Sequence, residues 1–332
     1  MYATQEGTTR YIDRFPKYRD AAFYRTILGL EVSSLGIGTY LGNEDDATDQ
    51  AYTEALIAAG EGGINLIDTA INYRNQRSER SVGAALRRLQ RDEIVVCTKA
   101  GFLTPGAVPG FLKPARVVGN MHSMDADFLA DQIDRSRANL GVDTIDVFYL
   151  HNPETQLGFL SPEEFDAALR RAFGRLEQLV GEHKIRWYGA ATWDGFREGA
   201  ISLPRLAALA LEECGPQHHF RFIQLPFNLG MVEAFVDRTE NVLTAAASLG
   251  IKVVASATLS QARVLREMPA SIAGQMPGLT TNAQRAIQFT RSTPGISVAL
   301  VGMGQREHVV ENIGVAGVPP LDRETYERLY RR

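Results

Sequence analysis

The chain has 332 residues, of which 45% are hydrophobic and 22% charged, so it can form a large core and is too polar for a membrane protein. A formal net charge of -4 with interspersed signs argues against a nucleic-acid surface, which usually shows a concentrated basic stripe. Two cysteines, Cys97 and Cys214, are too few for a disulfide framework, and no segment resembles a signal peptide or a membrane span. We therefore expect a cytoplasmic protein whose partners are small molecules.

The beginning of the chain is polar and aromatic without helical or strand periodicity. We interpret residues 1–20 as an N-terminal extension that lies over the protein surface or is disordered. Residues 21–332 contain no linker and no shift in composition, which predicts one domain. Within this domain, alternation around Gly29 predicts a hairpin or floor that leads into a first strand at Leu35 to Thr39. A helical pattern follows from Asp45 to Gly60.

Strands and helices then alternate to the end of the chain. Near-continuous apolar runs predict strands buried on both faces, and amphipathic segments between them predict covering helices. About eight such units in roughly 300 residues predict a closed (β/α)8 barrel, also called a TIM barrel, and an open doubly wound sheet is the alternative. The seven further predicted strands are Ile64–Ile67, Ile94–Thr98, Ile145–Leu150, Ile185–Ala190, Phe222–Leu225, Ile251–Ala255 and Ile296–Val301.

Three connections between predicted elements are unusually long. They are Gly101 to Met124, Asn152 to Ser161, and Ala257 to about Thr281, and each of them follows a strand. In a (β/α)8 barrel such loops lie on the C-terminal face, where active sites are built. We expect them to form the walls of a pocket.

Four residues with proton-transferring or charged groups are predicted to lie on that same face. Asp68, Lys99 and His151 end strands, and Tyr73 lies in the loop just after Asp68. A phenol is a poor acid at neutral pH unless a nearby cation favours its ionised form, and Lys99 could be that cation. Asp68 would keep the lysine charged, and His151 would hydrogen-bond the substrate oxygen. Tyr73 would then supply the proton.

Each of these residues also has a purely structural explanation. Asp68 could cap a loop with Lys99 neutralising it, Tyr73 could be a packing residue, and His151 could be a satisfied polar group. Their joint placement on one predicted face favours a catalytic site over these four separate explanations.

The segment DTAINYRNQRSERSVGAAL, which begins at Asp68, resembles the signature of the aldo-keto reductase family. The family's catalytic Asp, Tyr, Lys and His fall on Asp68, Tyr73, Lys99 and His151. The resemblance runs from about Tyr24 to Asn312 and implies a (β/α)8 barrel that reduces carbonyls with a nicotinamide cofactor, usually NADPH.

The same resemblance implies which residues bind the nicotinamide end of the cofactor. Gln224 matches the carboxamide-binding glutamine, and Thr192 keeps a hydroxyl where the family commonly has Ser-Asn, although Ala191 offers no side-chain hydrogen bond. Ser256 replaces an aromatic residue that often stacks on the nicotinamide ring. Leu259 is expected to contact the cofactor from the following loop.

The final motif, VGMGQREHVVEN, aligns with the segment that binds adenosine and the 2'-phosphate. Glu311 and Asn312 match the pair that contacts adenine. Gly302 and His308 stand where the family often has basic residues, and Arg306 could meet the 2'-phosphate from the start of a helix. We expect a preference for NADP(H), with NAD(H) possible.

Three residues are candidates for the substrate pocket. Trp193 follows the carboxamide-binding segment, and His122 either edges the pocket from a long loop or is solvated. Arg74, where many family members have glycine, could bind an anionic substrate or be a salt-bridged surface residue. No cluster of metal-ligating residues is apparent.

The primary hypothesis is an NAD(P)H-dependent reductase that interconverts a small aldehyde, ketone or sugar carbonyl with its alcohol. One alternative is a cofactor-binding regulatory barrel with vestigial turnover, as in channel-associated members of the family. Another is non-redox chemistry such as isomerisation in the same pocket. The sequence predicts neither a nucleic-acid nor a membrane partner.

Overall fold

The computed structural model describes residues 1–236, 241–266, 268 and 270–329. Eight parallel strands form a closed barrel in the order β10-β3-β4-β5-β6-β7-β8-β9. These strands are β3 (Leu35–Gly38), β4 (Leu66–Asp68), β5 (Val95–Ala100), β6 (Ile145–His151), β7 (Ile185–Ala191), β8 (Phe220–Pro226), β9 (Lys252–Ser256) and β10 (Ile296–Gly302), preceded by a hairpin of β1 (Tyr24–Ile27) and β2 (Leu30–Ser33). The predicted (β/α)8 barrel is confirmed, and the alternative of an open sheet is wrong.

Helices cover the outside of the barrel. Those of at least ten residues carry the main covering faces, as the amphipathic patterns predicted. In chain order the helices are α1 (Gln5–Asp13), α2 (Pro16–Asp20), α3 (Asp46–Gly62), α4 (Arg77–Leu86), α5 (Ala126–Leu140), α6 (Pro162–Gly181), α7 (Leu203–Cys214), α8 (Val242–Ser248), α9 (Arg263–Arg266), α10 (Ala270–Gln275), α11 (Asn282–Ser292), α12 (Arg306–Asn312) and α13 (Arg323–Arg328).

Burial of both strand faces explains the near-continuous apolar runs. One set of side chains packs outward against the helices and forms the larger core cluster. The alternate set fills the barrel interior, as side chains of parallel strands point alternately to the two faces. This inner set comprises Leu66, Val95, Cys97, Val147, Tyr149, Ala191, Phe222, Val254, Val298 and Leu300.

The first 20 residues form two helices at the N-terminal end of the barrel. The Ala3 amide donates a hydrogen bond to Asp146 Oδ1 at 2.9 Å, and the Tyr11 hydroxyl donates to the Gly60 carbonyl at 2.7 Å. A Cβ on Gly7 would lie 2.2 Å from the Asp92 carbonyl oxygen, so only glycine permits this approach. The sequence showed no periodicity here because these helices have only 9 and 5 residues.

The long connections after β5 and β6 leave from the C-terminal ends of their strands, opposite the helices α1 and α2. The connection predicted from Ala257 to about Thr281 contains α9 and α10, and its residues 267 and 269 lie outside the described part of the chain. The fold therefore keeps one end of the barrel closed by the N-terminal segment and leaves the other to loops.

Candidate active site

A buried ion pair lies where β4 and β5 end. Lys99 Nζ is 2.5 Å from Asp68 Oδ1 and donates a further hydrogen bond to the Thr69 carbonyl at 2.8 Å. The side chains of Lys99 and Asp68 are only 1% and 6% exposed. The second carboxylate oxygen of Asp68 accepts a hydrogen bond of 2.9 Å from Gln224 Nε2 at the end of β8. Asp68 is thus hydrogen-bonded at both oxygens.

The charge of Lys99 depends on this pairing. Burial acts to lower the pKa of Lys99, but the negative charge of Asp68 and their hydrogen bond act against it, and the net pKa is raised from 10.5. Lys99 is therefore an ammonium at neutral pH.

Tyr73 lies directly beside this ammonium. Lys99 Nζ is 5.0 Å from the centre of the Tyr73 ring, and the ring meets that of Tyr40 edge to face at 5.0 Å. Burial raises the pKa of the Tyr73 phenol, while the positive charge of Lys99 acts in the opposite direction. The phenol keeps its proton at neutral pH, and its conjugate base would have a cation beside it.

His151 is the last residue of β6, and its ring packs against Tyr73. Its ring lies 5.7 Å from the Tyr73 ring and 5.2 Å from the Phe102 ring, edge to face in both cases. Burial lowers the pKa of His151 well below 6.5, and the positive charge of Lys99 lowers it further. The imidazole is therefore neutral. Its Nδ1 atom is buried and has no hydrogen-bond partner among the described residues.

The segment after Tyr73 has an unusual backbone that the sequence did not indicate. Arg74, Asn75 and Gln76 have φ angles of 49°, 49° and 70°, in the left-handed region that residues other than glycine rarely adopt. Asn75 Nδ2 donates to Glu44 Oε2 at 2.6 Å, and Gln76 Oε1 accepts from Asn139 at 3.2 Å. Side chains of this segment thus tie it to the β3–α3 loop and to α5.

Most of the Arg74 guanidinium is engaged with partners inside the protein. Its side chain is 2% exposed, and it pairs with Asp49 at 2.6 Å and donates from Nε to the Asn43 carbonyl at 2.7 Å. Of the two expectations for Arg74, the structure shows the ion pair. The ion-paired alternative describes it better, but the side chain is buried instead of lying on the surface.

His122 is not solvated. It is fully buried, and its Nε2 lies 2.7 Å from the backbone oxygen of His151. Burial lowers the pKa of His122 to about 4. The expectation of a solvated loop residue is corrected by its contacts with the end of β6.

The positions predicted to bind the nicotinamide end of the cofactor lie at or near the ends of adjacent strands. Thr192 comes directly after β7 and is buried, and its amide donates to the Gln224 carbonyl at 2.9 Å. Gln224 is itself committed to Asp68 through its side-chain nitrogen. Ser256 ends β9 and is half-buried. These positions share one rim with the Lys99–Asp68 pair, since all of them lie at the carboxyl ends of parallel strands.

A glutamate that the sequence analysis missed shapes this rim. Glu154 Oε1 accepts hydrogen bonds from the amides of Trp193, Asp194 and Gly195 at 2.6, 3.2 and 3.4 Å. The side chain of Trp193 is 46% exposed beside them. Glu154 lies three residues after His151, but nothing in that spacing shows that its carboxylate reaches the loop after β7.

The remaining cofactor positions lie after β9 and β10. Leu259 follows Thr258, whose buried Oγ1 has no partner in the described part of the chain, and the neighbouring Ala257 has a φ of 54°. Polar groups without partners and strained backbone are typical of ligand sites. The unpartnered Thr258 hydroxyl therefore suits a polar ligand along this rim.

The last motif runs from the end of β10 through the whole of α12. Gly302, Arg306, His308 and Glu311 are exposed, and Arg306 has no ion pair within the described ranges. Asn312 is buried, and its Oδ1 has no hydrogen-bond partner among the residues described. The motif thus offers an exposed cation and an unsatisfied amide oxygen.

The described residues contain no group of three or more His, Cys, Asp or Glu side chains that could hold a metal ion. Within the same residues, no helix is both long and apolar enough to cross a bilayer.

Fold and site together define a (β/α)8-barrel protein with an acid–base site at the C-terminal rim, made of a phenol, an ammonium, a carboxylate and a neutral imidazole. The model of the Aldo/keto reductase family matches residues 34–273, and the chain belongs to this family.

Curated relatives match part of the chain. It is 35% identical over 175 residues to a D-threo-aldose 1-dehydrogenase of Pseudomonas sp, covering 48% of this chain and 50% of that protein. It is 31% identical over 173 residues to an NADH-specific methylglyoxal reductase of Escherichia coli (strain K12), covering 50% of each. The chain therefore spans about half the length of these curated relatives.

A solved structure covers more of the chain at lower identity. An aldo/keto reductase from Klebsiella pneumoniae, in complex with NADP and acetate, is 22% identical and covers 92% of this chain and 94% of its own, with a TM-score of 0.68. This likeness shows the fold.

Proposed function

We propose that this protein is an NAD(P)H-dependent carbonyl reductase in which Tyr73 donates the proton to the substrate oxygen. The observation that carries the proposal is the position of the Tyr73 ring 5.0 Å from Nζ of the buried Lys99, which is itself paired with Asp68. A bound nicotinamide cofactor would supply the hydride. The protein would supply the orientation of the carbonyl and the proton.

The proton donor and its neighbours have separate tasks. As negative charge develops on the substrate oxygen, Tyr73 gives up its proton to that oxygen, and the ammonium of Lys99 stabilises the phenolate that remains. Asp68 keeps Lys99 charged despite its burial. Without this cation the buried phenol would be a weaker acid.

Neutral His151 acts as a hydrogen-bond donor to the substrate oxygen. The Nδ1 atom of His151 is buried without a partner among described residues, and an unpaired lone pair is tolerated better than an unpaired N–H. We therefore assign the imidazole proton to Nε2, which can donate to the substrate.

Residues at the ends of the later strands would hold the cofactor. The proposal places Thr192, Gln224 and Ser256 near the nicotinamide and Leu259 beyond it. Glu311 and Asn312 would contact adenine. Gly302 and His308 would line the same part of the cofactor site.

The proposed cofactor is NADP(H). Arg306 is an exposed guanidinium without an ion pair in the described chain, and a guanidinium suits a 2'-phosphate. The NADH-specific relative makes NAD(H) the competing cofactor. Titrating the protein with NADPH and NADH by fluorescence, with Arg306→Ala as the variant, tests this choice. A loss of NADPH affinity without loss of NADH affinity is expected, and equal losses would contradict it.

The proposed substrates are small aldehydes, ketones or sugar carbonyls, as the names of the relatives suggest. A panel of these carbonyls, including methylglyoxal and aldoses, is assayed by oxidation of NADPH or NADH. Cofactor binding without turnover of any substrate would favour the regulatory barrel instead.

The decisive experiment is Tyr73→Phe, with Tyr18→Phe near the N-terminal end of the barrel as a matched control. Tyr73→Phe should bind the cofactor with unchanged affinity and lose at least about 100-fold in kcat, the lower range for general acid catalysis. The control should keep full activity. Turnover near that of the wild type in Tyr73→Phe would refute the assignment.

A further inference from the structure

His122 joins the loop after β5 to the residue that ends β6. Its ring is fully buried and meets the ring of Phe102 edge to face at 5.1 Å. Its Nε2 lies 2.7 Å from the backbone oxygen of His151, and its Nδ1 lies 2.8 Å from Gln156 Nε2. Both ring nitrogens of His122 are therefore engaged within the protein.

The partners of His122 determine which of its nitrogens carries the proton. A backbone carbonyl can only accept, so Nε2–H must donate to the oxygen of His151. Nδ1 is then unprotonated and accepts from the amide nitrogen of Gln156, a group that only donates. The His151 carbonyl therefore fixes the tautomer of His122, and Gln156 holds the ring in place through the other nitrogen.

The hydrogen bond from His122 to the His151 oxygen lies just beyond the last paired residues of β5 and β6. β5 ends at Ala100, which pairs with Leu150, so β5 has no residue in the ladder opposite His151. Directly after His151 the chain turns through Asn152, whose φ is 48°. The backbone that carries the His151 imidazole is therefore at a strained strand end, and His122 supplies the donor that β5 no longer offers.

Gly101 is shaped to admit this contact. A Cβ at position 101 would lie 2.5 Å from His122 Nε2 and 2.6 Å from the His151 oxygen. Neither distance is sterically possible, so a side chain here would push the donor and acceptor apart. The absence of a side chain at Gly101 thus leaves room for the hydrogen bond between His122 Nε2 and the His151 oxygen.

We propose that His122, oriented by Gln156, is a positioning residue that holds the backbone of His151 so that its imidazole meets the substrate oxygen. The inference rests on the proposed carbonyl reduction. His122 acts through His151 and does not itself contact the reacting atoms. Because misplacement by about 1 Å can cost 100-fold in rate, we expect loss of this bond to lower kcat about 10- to 100-fold.

The test compares two replacements of His122. Phenylalanine keeps an aromatic ring but has no donor, whereas the amide of glutamine offers an N–H donor and an oxygen acceptor, the two functions that the neutral imidazole provides. His122→Phe should lower kcat about 10- to 100-fold, with KM for the carbonyl and the affinity for NADPH changed less than about threefold. His122→Gln should recover most of kcat. His218→Gln, at the opposite end of the barrel, is the matched control.

Gln156→Met is a second variant that leaves His122 in place. It removes the donor to Nδ1 and should lower kcat in the same direction, and it stands in for His122→Phe if that variant does not fold. The inference is overturned if His122→Phe or Gln156→Met retains kcat within about twofold. It is also overturned if a folded His122→Gln is as slow as His122→Phe.

Failure of the proposed function and failure of the His122 role give different experimental results. A wild-type protein that reduces no carbonyl overturns the proposed function and this inference with it. An active wild type in which Tyr73→Phe is inactive and the His122 variants are fully active overturns only the inference.

Discussion

Arg74 allows the strain and the contacts of the segment after Tyr73 to be measured separately. Its guanidinium is buried and pairs with Asp49 at 2.6 Å, donates to the Asn43 carbonyl at 2.7 Å and lies 5.4 Å from the Tyr52 ring centre. Its backbone has a φ of 49°. We compare Arg74→Ala, which loses the contacts and keeps the strain, with Arg74→Gly, which loses both.

The magnitude follows from these contacts. Each hydrogen bond of a charged group contributes about 1.5 to 3 kcal/mol, and the 30% exposure of Asp49 screens part of the ion pair. We expect Arg74→Ala to lower the free energy of unfolding by about 3 kcal/mol. Left-handed backbone costs alanine about 1 kcal/mol and glycine almost nothing, so Arg74→Gly should be about 1 kcal/mol more stable than Arg74→Ala.

Urea unfolding of the two variants measures these differences, and Arg80→Ala on the exposed face of α4 is the control. Both Arg74 variants should also have a lower kcat, because Tyr73 directly precedes this position. Two results would refute the reasoning. One is an Arg74→Ala variant within about 0.5 kcal/mol of the wild type, and the other is an Arg74→Gly variant no more stable than Arg74→Ala.

Three further predictions concern buried charges. Lys99→Met leaves Asp68 without its cation and should lower the free energy of unfolding in urea by about 3 to 5 kcal/mol; a loss below about 1 kcal/mol would contradict a buried ion pair. Glu154→Leu removes the acceptor of the amides of residues 193–195 and should weaken NADPH binding in a fluorescence titration, whereas Glu154→Gln keeps an acceptor and should bind normally; equal behaviour of the two would count against this role. Burial raises the pKa of Glu79 above 4.5, so the folded state holds its proton more tightly than the unfolded state, and this contribution to stability falls as pH rises from 4.5 through the raised pKa. Urea unfolding across this pH range should show a flatter pH dependence for Glu79→Gln, and an unchanged dependence would refute it.

The hydrophobic pattern of the sequence was sufficient to predict the barrel. Strands buried on both faces must be apolar along their whole length, so their positions can be predicted without knowing what covers them. The first predicted strand and the β10 run differ from the observed elements by a single residue at one end. By contrast, α1 is short and contacts the barrel through Tyr11 and a few hydrogen bonds, which leave no periodic signal.

The sequence by itself determined the class of fold, the family, and the order of the groups that now lie at the rim, because strand ends of a parallel barrel meet at one face. Only the tertiary structure decided what Arg74 and His122 do. Their partners lie 31 residues away at Asn43, in another loop, and 29 residues away at His151, at the end of β6. Burial and pairing of a polar side chain depend on such distant neighbours, and a single local pattern cannot specify them.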